Sequence, residues 1–208
     1  MPVGKVGRKR LHFLVVSGPT REPLDPVRFL SNYSTGTMGQ CLAGVVRKRK
    51  HRLTWVKCPG DAETARDLEK KLRGLALHCD VLIMAAAVCD VRPKTVSRDK
   101  IKKSSLKKLE FVKNPDILAG LGRKKKKGQV FIGFALESKN IFANGEHKLE
   151  SKHLDLLLLQ KVTKRSRPFG VTRLDAWVLD RKGAVVWFEQ TTKENIAQVL
   201  VKNAEELA

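Results

Sequence analysis

LHFLVVSGPTREPLDPVRFLSNYSTGTMGQCLAGVVRKR, residues 11–49, decides the fold. Its first seven residues are mostly apolar, the pattern of a strand buried on both faces of a sheet. A loop rich in Pro, Asp and Gly follows. From Ser34 or Thr35 to Arg49 the period changes to a polar cap, two glycines, and then Met38, Leu42, Val45 and Val46 on one helical face. A buried strand feeding a helix is the opening of a βαβ unit, and such units build parallel sheets.

The alternation continues outward. Residues 52–56 read as a second strand, 61–77 as a helix carrying Ala65, Leu68, Leu72 and Leu75, and 80–86 (DVLIMAA) as a central strand. Pro115 suits the first position of a short helix capped by Asn114. Residues 129–134 and 154–159 are further buried strands, the second preceded by a stretch whose helical pattern is weakened by Asn144 and Gly145. Near the end, 176–179 and 185–189 flank the turn signal Asp180-Arg181-Lys182-Gly183, and a last helix runs from about 193 to 207. The fold class is α/β: a Rossmann-like three-layer sandwich with a mostly parallel central sheet and a C-terminal β-hairpin. The expected organisation is a basic tail, residues 1–10, and one domain, 11–208, because 208 residues suit a single core.

Lys and Arg number 42 against 21 Asp and Glu, a net charge of +21, which calls for anionic partners. Hydrophobic residues make up 42%, too many for a disordered basic tail. No run approaches the roughly 18 to 20 apolar residues of a membrane span. Cys41, Cys58, Cys79 and Cys89 form neither a CxxC pair nor a zinc-type cluster with His, which fits a reducing cytoplasm.

In an open α/β sheet, ligands bind beyond the carboxyl ends of the strands. After the first strand comes the long loop ending in STGTMG, where Gly36 and Gly39 open a helix: either their amides approach an anion, or the glycines serve close helix packing. After the central strand, AAAVCDVRP offers small residues for a flat ring and the carboxylate of Asp90, which could equally be a cap. Lys148 and Lys152, four apart, would project from one helical face, either toward a polyphosphate or into solvent.

Together the segments SGPTREPLDPVRFLSN with STGTMG (17–39), AAAVCDVRP (85–93), DKIKK (99–103), KNPDILAGL (113–121), GFALES (133–138) and KLESKHLD (148–155) resemble the phosphopantothenate–cysteine ligases of coenzyme A synthesis. They come in that family's order and span residues 11 to about 160. The resemblance implies a cytoplasmic ligase that activates 4′-phosphopantothenate with a nucleoside triphosphate, CTP or else ATP, assisted by Mg²⁺, and then joins the acyl-nucleotide to L-cysteine. By the same matching, Lys100 and Asn32 are catalytic, and Asn32, Ser34, Gly36 and Gly39 bind phosphopantothenate. The nucleotide falls to Met84, Ala85, Ala86, Asp90, Lys100, Pro115, Asp116, Ile117, Leu118, Phe134, Lys148 and Lys152. No metal ligands are assigned, and a homodimer is implied. In many bacteria such a ligase is the second half of a protein that also carries a flavin-dependent decarboxylase, to which nothing in this sequence corresponds.

Departures from the pattern are visible. Pro59 and Gly60 lead straight into Asp61, leaving little room for an edge strand; Thr37 stands where a lysine is common; Leu159, Gln160 and Lys161 replace an Ala-Asn-Asp. The basic clusters at 7–10, 47–52 and 122–128 lie outside the motifs and read as solvated helix ends. Two alternatives belong to other classes. A nucleic-acid-binding protein on a degenerate scaffold would need aromatic residues among the basic runs, and at 6% aromatics few are present. An NAD(P)-dependent oxidoreductase would need GxGxxG directly after the first strand, and it is absent.

Overall fold

The structure, a computed structural model, describes residues 9–106, 108–163, 169–170 and 173–208; residues 1–8 of the expected basic tail lie outside it. The chain runs β1 (His12–Pro19), β2 (Arg21–Pro23), β3 (Phe29–Ser31), α1 (Thr37–Lys48), β4 (Arg52–Lys57), α2 (Ala65–Leu75), β5 (Val81–Ala87) and β6 (Val91–Pro93). It continues through β7 (Phe111–Lys113), α3 (Ile117–Gly122), β8 (Val130–Glu137), α4 (Ile141–Ser151), β9 (Leu156–Lys161), β10 (Arg173–Asp180), β11 (Val185–Thr192) and α5 (Lys193–Leu207). Among the described residues the main sheet has the order β4-β1-β5-β8-β9-β10-β11. The strands from β4 to β9 are parallel, and β10 turns antiparallel to both of its neighbours.

Two-residue periodicity divides the core between the faces of the sheet. Leu14, Val16, Leu82 and Phe131 face α2, α3 and α4, where they meet Leu68, Leu72, Leu118 and Leu149. Phe13, Val15, Ile83 and Ile132 face α1 and α5, against Leu42, Val46, Ile196 and Leu200. From β1 the chain goes first to β4 on one side and then to β5 on the other. The order therefore reverses between β1 and β5, which opens a crevice beyond their carboxyl ends. Ser17, Gly18 and Pro19 pair there with Ala85, Ala86 and Ala87.

The elements differ from the expectation at three places. The stretch containing Asn144 and Gly145 is a full helix, α4, because Gly145 lets it approach the sheet: a Cβ there would lie 3.2 Å from Leu159 and 3.3 Å from Leu179. Packing overrides propensity in this case. Helix α3 starts at Ile117 and is capped by Asp116, whose Oδ1 accepts from the Ala119 amide at 3.0 Å. Asn114 instead donates from Nδ2 to the Cys89 carbonyl at 2.9 Å. Finally, the loops after β1 and β5 fold into the small ribbons β2–β3 and β6–β7. Among the described residues no strand separates β4 from α2, so β4 forms the edge, as the short 59–61 connection suggested.

The second glycine of STGTMG serves packing. A Cβ at Gly39 would sit 2.0 Å from the Ser17 Cβ, so α1 crosses β1 with no room for a methyl group. Gly39→Ala should therefore cost about 1–3 kcal/mol and lower the thermal midpoint by several degrees. Gly44→Ala, on the same helix with nothing within 4 Å, should leave the midpoint unchanged or raise it. Thermal denaturation of both variants checks the claim, and equal midpoints would refute it.

Candidate active site

The switch point places the amino end of α1 against the carboxyl ends of β5, β8 and β9. Gly36 is the N-cap in the left-handed conformation (φ 73°), with no side-chain bond capping the helix and no acidic residue in its first turn. The Ser34 hydroxyl accepts from the Gly36 amide at 3.4 Å. A helix start left open in this way presents backbone N–H groups and a positive dipole end. In front of it lies a cavity of about 140 Å³, whose walls include Ser34, Gly36, Ala85, Ala86 and Phe134 among the expected ligand residues. Gln160 and Lys193 line it as well.

The remaining expected residues are not among those that line this cavity. Asn32 is tethered to the end of β5, donating from Nδ2 to the Ala87 carbonyl at 2.9 Å, and among the described residues its Oδ1 accepts no hydrogen bond. Asp90 is exposed just beyond β5, and its carbonyl accepts from the Asn114 amide at 2.8 Å. Arg92 bonds the Asn114 side chain at 3.1 Å, so the VCDVRP and KNPD segments form one unit beside Pro115. Gly39 packs on Ser17, one of the two uses its spacing allowed. Met84, Ile117 and Leu118 bury their side chains in the core, so the parts of these residues available to a ligand are backbone atoms.

Lys148 and Lys152, expected on one helical face toward a polyphosphate or solvent, each meet a carboxylate. Helix α4 ends at Ser151, with Lys152 as its cap. Lys148 pairs with Glu137 at the end of β8, and Lys152 pairs with Asp116 at 3.0 Å. The sequence spacing could not show these carboxylates, which other elements deliver. Burial pushes the Glu137 carboxyl upward, but the Lys148 and Asn144 hydrogen bonds outweigh it and leave the group below its ordinary value. The same competition at Asp116, between burial and the Ala119 amide with Lys152, also ends below the ordinary value.

Lys100 is exposed and is not among the residues lining the cavity. Its position is set by a clamp that sequence reasoning missed. The Asp25 carboxylate is buried; Oδ1 accepts from the amides of Val27 (2.8 Å) and Arg28 (2.9 Å), and Oδ2 accepts from Arg28 Nε (2.9 Å), Arg28 Nη2 and the Ile101 amide (3.2 Å). Arg28 Nη2 also donates to the Ile101 carbonyl at 2.8 Å. Both backbone groups of the residue after Lys100 are thus fastened to the loop that carries Asn32. The signal was available in DPVR, since an Asp followed by Pro commonly bonds amides two and three residues on. Lys193 gave no comparable signal, because the first residue of a final helix reads as solvated.

Burial pushes Cys58 and Cys79 up to about 12, and burial with the neighbouring Glu194 pushes Cys41 up to about 11. Burial also pushes the Cys89 thiol up.

Residues 8–207 match the family described as the DNA/pantothenate metabolism flavoprotein C-terminal domain. The chain is 35% identical over 177 residues to the coenzyme A biosynthesis bifunctional protein CoaBC of Escherichia coli (strain K12), covering 78% of this chain and 44% of that protein. It is also 34% identical over 199 residues to a cysteine/cysteine sulfinic acid decarboxylase of an unknown prokaryotic organism, covering 89% of this chain and 55% of that protein. The chain thus spans about half the length of these curated relatives. A crystal structure of the C-terminal domain of CoaBC superposes with a TM-score of 0.78 at 28% identity, covering 95% of both chains.

The Arg28 guanidinium beside Asp25 holds that carboxyl well below the usual carboxylate range, against the upward push of burial. A folded-state value below the unfolded one adds stability that is complete at neutral pH and is lost as pH falls below about 4 toward the folded value. Asp25→Asn should be less stable than the parent chain at pH 7, with the gap narrowing on acidification. Urea midpoints from pH 7 to pH 3 measure this, and a gap independent of pH would contradict it.

Proposed function

The chain belongs to the DNA/pantothenate metabolism flavoprotein C-terminal domain family, and on that premise we propose that residues 11–208 are a single ligase domain, a phosphopantothenate–cysteine ligase of coenzyme A biosynthesis. In the first step a carboxylate oxygen of 4′-phosphopantothenate attacks the α-phosphorus of a nucleoside triphosphate, with CTP favoured, and pyrophosphate leaves. In the second the amine of L-cysteine attacks the acyl carbon, the nucleoside monophosphate leaves, and an amide remains. The observation that carries this reading is the open amino end of α1 at the β1/β5 switch point together with Asn32 tied to the end of β5, on a loop to which the Asp25–Arg28 clamp also fastens the loop of Lys100.

Each feature has work in this chemistry. The Lys100 ammonium is held on a loop but projects into solvent, suited to meeting the charge that builds on the pentavalent phosphorus. Among the described residues Asn32 keeps an unbonded Oδ1, with its Nδ2 on the Ala87 carbonyl, suited to orienting the acyl-nucleotide. Ala85 and Ala86 leave small side chains beside the Phe134 ring, room for a flat base, and Asp90 is exposed just beyond the end of β5. Lys148 and Lys152 would reach a triphosphate only by exchanging their carboxylate partners for phosphate oxygens. Mg²⁺ would enter with the triphosphate, held by phosphate oxygens; among the described residues no group of three or more His, Cys, Asp or Glu converges to hold a metal. The reading includes a homodimer, which the exposed Val185, Val186 and Trp187 on the edge strand β11 favour. Among the described residues no helix is long and apolar enough to cross a membrane.

An assay with phosphopantothenate, cysteine and Mg²⁺, run with CTP and ATP in parallel, tests the reading and the nucleotide choice together. Pyrophosphate and amide should appear one to one, faster with CTP, and chelation of Mg²⁺ should stop both. Lys100→Gln should lower pyrophosphate release by about 100-fold or more, while Asn32→Asp should still bind nucleotide but mishandle the acyl-nucleotide. Absence of turnover with any nucleoside triphosphate, or wild-type rates in both variants, would overturn the assignment.

A further inference from the structure

The basic clusters of the sequence lead into parallel strands: residues 9–10 into β1, 47–52 into β4 and 122–128 into β8. Parallel strands put all three at one end of the sheet, the end opposite the switch point. Strand β10 runs antiparallel to β9, so the turn after it brings Arg181 to that same end. There the loop 122–128, the start of β9 and this turn border a cavity of about 430 Å³, separated from the proposed ligase site by the length of β8, about 23 Å. Its wall includes Lys125, Lys126, Lys127, His153 and Arg181, with Asp155 as its one carboxylate.

That carboxylate is committed within the fold. Asp155 Oδ2 accepts from the Phe131 amide at 2.6 Å and from Lys125 Nζ, and Oδ1 lies 3.8 Å from Arg181 Nε. The cations, by contrast, are fixed by bonds that leave most of their donors open. An ammonium group has three N–H donors and a guanidinium five. Lys126 gives one to the Leu77 carbonyl at 3.0 Å, Arg181 gives Nε to the Leu154 carbonyl, and among the described residues the Lys127 ammonium gives none. The turn 126–129 adds backbone donors. The Gln129 amide closes it on the Lys126 carbonyl at 3.2 Å, Gly128 is left-handed (φ 84°), and the amides of Lys127 and Gly128 have no acceptor among the described residues. Burial, joined by the Arg181 charge, pulls the Lys125 ammonium below its ordinary value against the opposing Asp155. Four cations around one committed carboxylate repel one another, and an incoming anion relieves that repulsion.

The lining narrows the ligand. Open donors on four side chains and two successive amides suit several oxyanions in a row better than a single one. Neither Phe, Tyr nor Trp lines the cavity, so a nucleobase would find no such ring to stack on. We propose that this cavity is a second anion site of the chain, and that it takes a run of phosphate groups joined by anhydride bonds and carrying no base.

Inorganic tripolyphosphate, titrated calorimetrically into the full chain, tests the site without requiring ligase turnover. The parent should bind it saturably. Lys127→Glu alters an exposed side chain without a partner among the described residues, so it should melt as the parent does and bind tripolyphosphate about 10-fold more weakly or worse. Lys126→Glu, in the same wall, serves if that variant does not fold. Arg52→Glu makes the same change of net charge at the same end of the sheet but outside the cavity, and should bind within about twofold of the parent. Equal weakening in Lys127→Glu and Arg52→Glu would reduce the site to the general field of the chain and overturn the proposal, as would the lack of saturable binding to the parent. Binding that Lys148→Gln removes and Lys127→Glu leaves intact would put tripolyphosphate in the ligase site and equally refute it. With ATP as a second probe, a Lys127-dependent response that tripolyphosphate does not share would show that a base is required and contradict the assignment.

Discussion

A buried carboxylate must be met by donors, and at Asp25 those donors come from two loops far apart in sequence. One set belongs to its own turn, Val27 and Arg28; the other is the backbone of Ile101, held from both sides by Asp25 and Arg28. Because the carboxylate is charged and shielded, its bonds are stronger than those of an exposed pair. The rest of the site depends on this constraint. The loop after β1 reaches back to the end of β5 through Asn32 and Ala87, through the Thr20 amide to the Ala87 carbonyl, and through the Cys89 amide to Thr20 Oγ1. Its buried Glu22 accepts from the Ala65 amide at the start of α2. A long segment that reads as an irregular loop is thereby made part of the scaffold, with Lys100 attached to it from outside.

The positive charge of the chain takes a more specific meaning in this arrangement. The basic clusters that read as solvated helix ends carry structural bonds. Arg49 holds Glu205 at 2.5 Å through Nε and Nη2, His51 bonds the same carboxylate at 2.7 Å, and Lys125 pairs with Asp155 while lying over the Phe131 ring. Lys126 bonds the Leu77 carbonyl at 3.0 Å. Lysines spent in this way are poor candidates for a nucleic-acid surface, which needs cations free to meet phosphates. The field of the whole chain would raise the local concentration of small anions, an effect that salt suppresses.

Most of the sheet was legible because buried parallel strands are written as continuous apolar runs, as in 11–17 and 80–86, and because one helix after another repeats its apolar face. The small ribbons β2–β3 and β6–β7 were not, since their strands are only three residues long, too short for a period to show, and β2 and β6 each end in proline. At the site, the segments that share a motif were legible as a set, and Ser34, Gly36, Ala85, Ala86 and Phe134 do meet in one cavity. Pairings across the fold were not. Spacing showed that Lys148 and Lys152 share a helical period but not that Glu137 and Asp116 would take them up, and Gln160 stood out only as a departure from a pattern. Lys193 is visible only in three dimensions, where α5 packs beside α1 and brings its first residue to the cavity.

The central claim is that this scaffold activates a carboxylate by attaching it to the α-phosphorus of a nucleotide. Phosphopantothenate labelled with ¹⁸O in its carboxylate, turned over to completion with cysteine and CTP, tests it through the fate of one oxygen. Attack by the carboxylate followed by aminolysis leaves that oxygen on phosphorus, so mass spectrometry should find one ¹⁸O in each CMP and none in pyrophosphate. Unlabelled CMP with the ¹⁸O in pyrophosphate, or CDP with the ¹⁸O in inorganic phosphate, would contradict the account.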